Sequence, residues 1–267
     1  MKKLSYAIMI AILLVGMSGC GDDSSTGPGT KDEAPTIPEL SVYAQPDITF
    51  FENNQPPEKK GKAKSNYSNY SNANFKVTFG TLFASMGQIY LGLLGPAYNQ
   101  SPDFKDGRWV WSYDYSADGE SISIRYTAKE QASSIKWQMF MSGDFGEGSS
   151  FNDYKLMEGT TRDDGTKGNW TFNVLNDDNS KEVPAIKTEW NAESDTERTI
   201  STGIYGEGSL DTSIDYDQSG VEHTMTIEDA NGSEKDIIFW NTDTKTGYVI
   251  DDGTKMCWDE NLANIPC

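Results

Sequence analysis

From Arg108 onwards, apolar and polar residues alternate in short runs that turn signals separate. A period of two places successive side chains on opposite faces of a strand, so each run predicts a strand with one apolar face. Asp-Gly, Asn-Gly and Ser-Gly pairs separate the runs, because these residues favour tight hairpin turns. The pairs stand at 118–119, 164–165, 219–220, 231–232 and 252–253. The pattern therefore predicts an antiparallel meander of about ten to twelve strands over 108–267.

One segment before this sheet lacks the alternation. Residues 75–94 are apolar nearly all round, with glycines at 80, 87 and 92. A helix without a polar face is buried by protein or lipid, and Pro96 would end it. We therefore predict an apolar helix over 75–94 that packs on the sheet. A strand pair through one of the glycines and a second membrane span are the alternatives.

The predicted meander needs a cover for its apolar face. A long sheet of this kind either closes into a barrel or wraps as a half-barrel around something. The helix at 75–94 is the natural filler. The predicted fold class is thus mainly β: an antiparallel meander curled into a barrel or half-barrel, with one N-terminal apolar helix packed on it.

Residues 1–19 have the pattern of an export signal. Lys2 and Lys3 give a positive start, and residues 4–15 form an uncharged apolar run, shorter than the ~20 residues of a membrane span. The run ends in Met17-Ser18-Gly19-Cys20, which resembles the lipobox of bacterial lipoproteins, with Met17 where Leu is usual. The resemblance implies that residues 1–19 are removed and that Cys20 is acylated. Ordinary signal cleavage, with the Cys20 thiol free or disulfide-bonded, is the alternative.

The lipoprotein resemblance implies a location and a partner. Acyl chains on Cys20 would hold the protein on a membrane of the bacterial cell envelope, at the outer membrane or the cell surface. The order of elements, an anchored chain with a curled meander and an apolar helix, is also similar to that of the lipoprotein-carrier (Lol) half-barrel group. That similarity implies binding of a lipid or another amphipathic ligand.

The remaining N-terminal region divides by composition. Residues 20–35 contain the lipidated cysteine and a flexible tether of Gly, Ser, Thr, Asp and Pro. Residues 36–107 form an N-terminal segment that includes the predicted helix. Four lysines at 59, 60, 62 and 64 form a basic cluster. We interpret this cluster as a solvated loop, and attraction to an anionic membrane is the alternative.

The net charge argues against one class of partner, and the cysteines predict a disulfide. The chain has 41 acidic and 22 basic residues, a formal net charge of −19, which disfavours nucleic-acid binding because the protein repels phosphate. Beyond Cys20 it contains Cys257 and Cys267. An even pair in an exported chain predicts a disulfide, which would stabilise the fold by about 3 kcal/mol in the loop-entropy model. Two unpaired thiols are the alternative.

The sequence offers little for catalysis or metal binding. His223 is the single histidine, and its alternating position in a strand favours a structural role. Two acidic turns that begin at Asp114 and Asp215 imitate the first half of a calcium loop, but Arg125 and Thr226 occupy the position of the completing acid. Plain hairpins explain the same residues. We predict no catalytic residue, no metal and no cofactor.

Aromatic residues are the remaining candidates for ligand binding. Trp109, Trp111 and Tyr113 form a ladder along one face of a strand, and Trp137 could join them from a neighbouring strand. On an internal face they would be core. Lining an open concavity, they would form a platform for acyl chains or sugar rings.

The sequence therefore predicts an exported, membrane-anchored lipoprotein without catalytic activity. It would bind an apolar or amphipathic ligand or a protein partner in the envelope. A surface carbohydrate-binding or adhesion module is the alternative, and a hydrolase with two carboxylates is a third class. An enclosed cavity beside the helix would favour lipid, and an exposed aromatic platform would favour glycan.

Overall fold

The computed structural model describes residues 33–37, 44–56, 66–85, 92–117, 120–144, 150–176 and 181–267. The predicted export signal, the lipobox, Cys20 and most of the tether lie outside the described residues, as does the lysine cluster. Two α-helices precede the sheet within the described part: α1 (Thr49–Asn53) and α2 (Ser68–Ala84). A short 3₁₀ helix at Gly95–Asn99 follows them.

Fourteen described strands form one antiparallel sheet in which each strand pairs with the next along the chain. Their bounds are β1 (Asp103–Lys105), β2 (Arg108–Ala117), β3 (Glu120–Glu130), β4 (Ile135–Asp144), β5 (Ser150–Thr161), β6 (Lys167–Leu175), β7 (Glu182–Ser194), β8 (Glu197–Gly206), β9 (Ser209–Ser219), β10 (Glu222–Asp229), β11 (Lys235–Asn241), β12 (Gly247–Asp251), β13 (Thr254–Trp258) and β14 (Asn264–Ile265). The antiparallel meander is confirmed.

The described sheet has more strands than the predicted ten to twelve, and of the two predicted outcomes, barrel or half-barrel, the closed barrel is not confirmed. The described sheet is open, with β1 and β14 as its edges, so the structure does not confirm a closed barrel. Both edge strands are too short, at three and two residues, to show an alternation in the sequence. The sheet also begins at Asp103 rather than at 108. A turn at Asp106 and Gly107, with φ of 53° and 73°, joins β1 to β2, and this Asp-Gly pair was not among the turn signals used for the prediction.

Helix α2 confirms an apolar helix on the sheet but not its predicted bounds. It begins at Ser68 and ends at Ala84, whereas the prediction placed it over 75–94. Its polar first two turns hid its start, because only Tyr70 and Ala73 of that stretch face the core. Residues 86–91 lie outside the described part of the chain. Among the described residues, no helix combines the length and apolarity needed to cross a bilayer.

Polar contacts attach α2 to the last strands. The Asn69 side chain donates to the Cys257 carbonyl at 2.8 Å. The Lys76 ammonium lies 2.5 Å from Asp236 and 3.3 Å from Asp251. Burial acts to lower the pKa of Lys76, but these two carboxylates outweigh it and raise the pKa. The helix therefore crosses β11–β14 in a fixed orientation.

Tryptophans on the inner face of the sheet lie over glycines of neighbouring strands. Gly159 pairs with Trp170, Gly168 with Trp190 and Gly247 with Trp258. A Cβ atom at Gly168 would stand 2.4 Å from Trp190, and the other two glycines are as crowded. A missing side chain on one strand thus leaves the space that a large ring on the next strand fills.

The inner face is buried along nearly the whole sheet. Inward side chains from β2 to β13 belong to one contiguous core. Helical cover is concentrated on β2, which contacts the 3₁₀ helix, and on β11–β14, which contact α2. Inner side chains of the middle strands, such as Trp170, Trp190 and Ile200, are buried as well.

Candidate functional site

The four aromatic residues predicted from the sequence lie together in the core. Trp109, Trp111 and Tyr113 of β2 and Trp137 of β4 are at most 7% exposed. The rings of Trp111 and Trp137 lie 6.4 Å apart, and Tyr126 stacks on Trp137 at 5.4 Å. The ladder is therefore a packed cluster, and in the described structure it does not line an open platform.

Hydrogen bonds from these aromatic residues are structural. The Tyr113 hydroxyl donates to the Leu93 carbonyl at 2.7 Å, and Trp137 Nε1 donates to the Thr161 hydroxyl at 2.9 Å. Burial raises the pKa of the Tyr113 hydroxyl far above its usual range, so it stays protonated as a donor. The first bond attaches the segment before β1 to the sheet, and the second joins β4 to β5. A ligand-binding role for the four residues stays a prediction.

A concavity of about 360 Å³ lies on the opposite, outer face of β7–β10. We call it the outer groove. Trp190, Ile200 and Tyr216 contribute part of its lining. Hydroxyl, amide and carboxylate side chains line the rest: Glu189, Asn191, Thr199, Ser201, Asp215, Asp217, Thr224 and Thr226. Strands present alternate residues on each face, so each of the four strands contributes two of these side chains.

Strand register arranges the outer groove as two parallel rows. One row runs Asn191, Thr199, Asp217, Thr224 across the four strands. The second row is Glu189, Ser201, Asp215 and Thr226. Neighbouring members of a row lie one strand spacing apart, about 4.8 Å. The rows therefore present regularly spaced acceptors and hydroxyls over a broad surface.

The chemistry of the outer groove favours hydrogen-bond donors in a ligand. Its lining includes three carboxylates, which accept only, and no lysine or arginine. The Ser201 hydroxyl donates to Asp215 at 2.6 Å. Asp217 accepts no hydrogen bond from any described side chain. The groove thus suits a neutral or cationic molecule that offers hydrogen-bond donors, such as hydroxyl groups, and it repels anions.

An aromatic pair extends one row of the outer groove. Thr224 pairs with Phe239 of β11, and Phe239 pairs with Tyr248 of β12. The two rings stack at 5.2 Å, and the Lys255 ammonium lies 3.9 Å from the centre of the Tyr248 ring. Aromatic rings beside hydroxyl acceptors are typical of surfaces that bind sugars, because the apolar face of a pyranose packs on a ring.

The described aspartates of the two acidic turns, Asp114, Asp215 and Asp217, lie on regular strands. Asp215 and Asp217 lie on the regular strand β9, so their side chains alternate with the inward Tyr216 and do not converge. Asp114 likewise lies on β2 and accepts a hydrogen bond from Ser123 at 2.6 Å. In the part of the chain that the structure describes, no three His, Cys, Asp or Glu side chains are grouped as a metal site.

A buried polar network lies directly behind the outer groove. Tyr216, between the two groove aspartates, forms a 2.8 Å hydrogen bond between its hydroxyl and His223 Nδ1. Arg198 Nε donates to the Gln218 side chain at 2.6 Å, and the Tyr216 hydroxyl lies 3.2 Å from the same Gln218 oxygen. Asp47, from the segment before α1, lies 3.8 Å from the Arg198 guanidinium. The network attaches this segment to the strands that carry the groove.

Burial and charge set the protonation of this network. Burial lowers the pKa of His223; the Asp47 carboxylate acts against this, and the Arg198 charge adds to it. Burial acts to raise the pKa of Asp47, but hydrogen bonds from Thr49 and the charges of His223 and Arg198 bring it below its ordinary value. His223 also stacks on Trp240 at 5.0 Å. Of this network the sequence singled out His223 alone, whose alternating position in a strand favoured a structural role.

The predicted disulfide is confirmed. Cys257 and Cys267 are bonded, with Cα atoms 5.3 Å apart. The Cys257 carbonyl also accepts the hydrogen bond from Asn69 of α2. The bond therefore closes the C-terminal segment onto the strand that supports the start of the helix.

No protein-family model matches this chain, and no curated protein matches it either. The lipobox-like Met17-Ser18-Gly19-Cys20, which carries the resemblance to bacterial lipoproteins, lies outside the described residues. What the described part contributes is the outer groove, its aromatic extension and the network behind it.

Proposed function

We propose that this chain is a non-catalytic, lipid-anchored protein of the bacterial envelope that binds a neutral glycan in the outer groove. One observation carries the choice of ligand: carboxylates and hydroxyls stand in register across four strands, beside a stacked aromatic pair. Sugar hydroxyls donate to carboxylates and exchange hydrogen bonds with Ser and Thr. The net charge of −19 disfavours anionic glycans.

This proposal favours the outer face over the inner one. An apolar ligand inside a half-barrel would need an open aromatic surface, and the inner aromatics contact one another instead. In the proposed arrangement the sheet wraps its apolar face around core side chains and α2. The outer face does not pack on the core or on α2, so its side chains are free to bind a ligand.

The anchor is a separate part of the proposal. It is supported by the positive start, the short apolar run and the lipobox-like ending at Cys20. Labelling of growing bacteria with an alkyne fatty acid tests it. We expect the wild-type chain to incorporate the label and the Cys20→Ala variant to lose it. Equal labelling of both would contradict acylation at Cys20.

Glycan binding is tested with the mature chain carrying Cys20→Ser. Screening on a glycan array, followed by titration calorimetry, should identify neutral glycans that bind. Asp217→Asn should weaken binding about tenfold, as expected for the loss of one charge-assisted hydrogen bond. Glu193→Gln on the same strand as Glu189, exposed and outside the groove, is the matched control. Equal losses in both variants, or no glycan bound, would contradict the proposal.

An amphipathic ligand within the sheet is the second candidate. The Tyr126 hydroxyl and Trp240 Nε1 are buried on the inner face without a hydrogen-bond partner among the described residues. Buried polar atoms are nearly always paired, so a guest with a polar group would satisfy them. Native mass spectrometry of bacterially expressed protein, with extraction of copurified lipid, tests this. A copurified lipid, together with no binding to any glycan on the array, would make the amphipathic ligand the first candidate.

A further inference from the structure

Helix α2 has two apolar faces, and only one of them packs on the sheet. Tyr70, Ala73, Val77 and Gly80 are buried against the strands. On the opposite side stand Phe75, Phe79 and Leu82, which we call the Phe75 stripe. Their exposed fractions are 69%, 48% and 63%. The three residues follow a helical spacing of four and three, so they form one continuous line along the helix.

The Phe75 stripe differs from other exposed apolar residues of the described chain. Leu210 and Val221 are exposed as well, but they stand singly on a strand and at a turn. Within the stripe, Phe75 stacks on Phe79 at 6.0 Å, and Phe79 contacts the half-buried Phe83 at 4.6 Å. Single exposed apolar side chains need no explanation, whereas a contiguous line of them indicates an interaction surface.

We propose that the Phe75 stripe inserts into the interfacial region of the bilayer on which Cys20 anchors the protein. The inference rests on the proposed lipid anchor. A helix that lies in the plane of a membrane buries an apolar line among the acyl chains while its other face remains on the protein. This contact would fix one side of the domain against the bilayer and leave the outer groove for a ligand.

Charge complementarity supports an anionic lipid surface. The protein as a whole is strongly acidic, which repels such a surface. The basic cluster of lysines at 59, 60, 62 and 64 immediately precedes α2 in the sequence. Lys76, the lysine of α2 itself, is engaged by Asp236 and Asp251 and does not contribute. Along the sequence, the attraction to anionic lipid is therefore concentrated in the segment that directly precedes α2.

The tether keeps the domain close to the bilayer. Twelve residues, whose composition predicts a flexible tether, separate Cys20 from the first described residue, Glu33, and a tether of that kind has a root-mean-square reach of roughly 20 Å. Within that distance, a weak contact becomes an intramolecular event at high effective concentration. Three apolar side chains are then enough to orient the domain.

A second copy of the chain is a less suitable occupant. Stable protein interfaces bury about 1,200–2,000 Å² in total. Three side chains on one helix supply far less apolar area, and exposed Ser71 and Thr78 stand among them on the same face. A bilayer accepts a narrow stripe because it has no fixed shape to match.

Vesicle binding tests the inference with the mature chain carrying Cys20→Ser, so that acyl chains do not mask the stripe. Two kinds of vesicle serve as probes: neutral phosphatidylcholine, and phosphatidylcholine mixed with anionic phosphatidylglycerol. The Phe75→Ser/Phe79→Ser/Leu82→Ser variant should lose about tenfold or more in partitioning to the mixed vesicles. Replacing the four lysines by Gln should weaken binding to the mixed vesicles and leave neutral vesicles unaffected.

The matched control is Leu210→Ser/Val221→Ser, which removes exposed apolar side chains elsewhere and should bind vesicles as the parent does. As a second readout, Phe79→Trp should gain fluorescence that brominated lipids quench. Equal vesicle binding by the stripe variant, or a parent dimer that this variant dissociates, would overturn the inference. Fatty-acid labelling of Cys20 and glycan titration are independent measurements, so a failed stripe is distinguishable from a failed anchor or groove.

Discussion

The two faces of the sheet use the same strands for opposite purposes. On β9, Tyr216 points inward to the buried network, while Asp215 and Asp217 on either side point outward into the groove. The inner face buries rings from β2 to β13 in one core. The outer face carries rows of hydroxyls and carboxylates without large burial. The difference teaches that stability resides on one face, which leaves the other able to bind a ligand.

The largest test of this comparison removes an inner ring. Trp137→Ala deletes a fully buried indole that contacts Trp111 and Tyr126, so we expect a loss of about 3–5 kcal/mol in the free energy of unfolding. Phe140→Ala, on the outer face of the same strand, should cost only about 1 kcal/mol, mainly its contact with Arg125. Chemical denaturation measures both. Equal losses would refute the division between the faces.

The disulfide is an exception to this division between the faces, because it stabilises the fold from the C-terminal edge of the sheet through a covalent bond. Replacing Cys257 and Cys267 together by Ala should lower the free energy of unfolding by about 3 kcal/mol, because the unfolded chain gains the entropy of a ten-residue loop. Denaturation of the oxidised protein and of the double variant gives this difference. Identical midpoints and slopes would show that the bond contributes nothing.

Adding a single methyl group at Gly168 tests how tightly the inner face is packed. Gly168→Ala would place a Cβ atom 2.4 Å from Trp190 and 2.8 Å from the Thr160 carbonyl oxygen. Although alanine normally improves a strand, we expect this variant to lose about 1–3 kcal/mol through overpacking. Gly95→Ala is the control and should be neutral or slightly stabilising, because its Cβ atom would meet no atom of the described residues within 4 Å apart from its chain neighbours. Thermal unfolding of the two variants measures the difference. A stabilised Gly168→Ala variant would contradict the close packing of Trp190 on Gly168.

The buried network should make stability depend on pH. The pKa of His223 in the folded protein lies below its ordinary value of 6.5, so the unfolded chain takes up a proton first as pH falls. Stability should therefore decrease as pH falls below about 6.5. His223→Gln, which stays uncharged, should lose this slope between pH 7 and 5.5. Because the chain has one histidine, an unchanged slope in the variant would exclude His223 as the cause.

The smallest expected effect on stability belongs to the outer groove. Asp217→Asn removes a carboxylate that accepts no hydrogen bond from the described residues, so the free energy of unfolding should change by less than about 0.5 kcal/mol. The same variant is expected to lose glycan affinity. Denaturation beside calorimetry separates the two effects. A large loss of stability would show that the outer face also supports the fold.

The alternation of residues predicted most of the fold. Runs such as Trp109 to Tyr115 and Ile135 to Met141 became β2 and β4, and the Asp-Gly pair at 252–253 became the hairpin between β12 and β13. The edge strands were missed because two or three residues show no period. The start of α2 was missed because polar residues separate Tyr70 from Ala73, and only the position of the sheet decides which side of a helix is buried.

The candidate site was harder to predict for a physical reason. The sequence drew attention to Trp109, Trp111, Tyr113 and Trp137, which have the largest apolar surfaces and therefore lie in the core. The outer groove consists mainly of common polar residues from four strands. Glu189 and Thr226, at the two ends of one row, are aligned only by the register of β7–β10. No short motif records such a surface.

By itself, the sequence determined the antiparallel strands and the hairpin turns, because each depends on a local pattern. It also determined the pairing of Cys257 with Cys267, because these are the two cysteines beyond Cys20. The tertiary structure decided which aromatic residues are core, where α2 crosses the sheet and which of its faces stays exposed. Those outcomes depend on contacts between residues far apart in the chain, such as Asp47 with Arg198 and Lys76 with Asp236. Distant contacts form only when the strands have registered and curved, so no local pattern contains them.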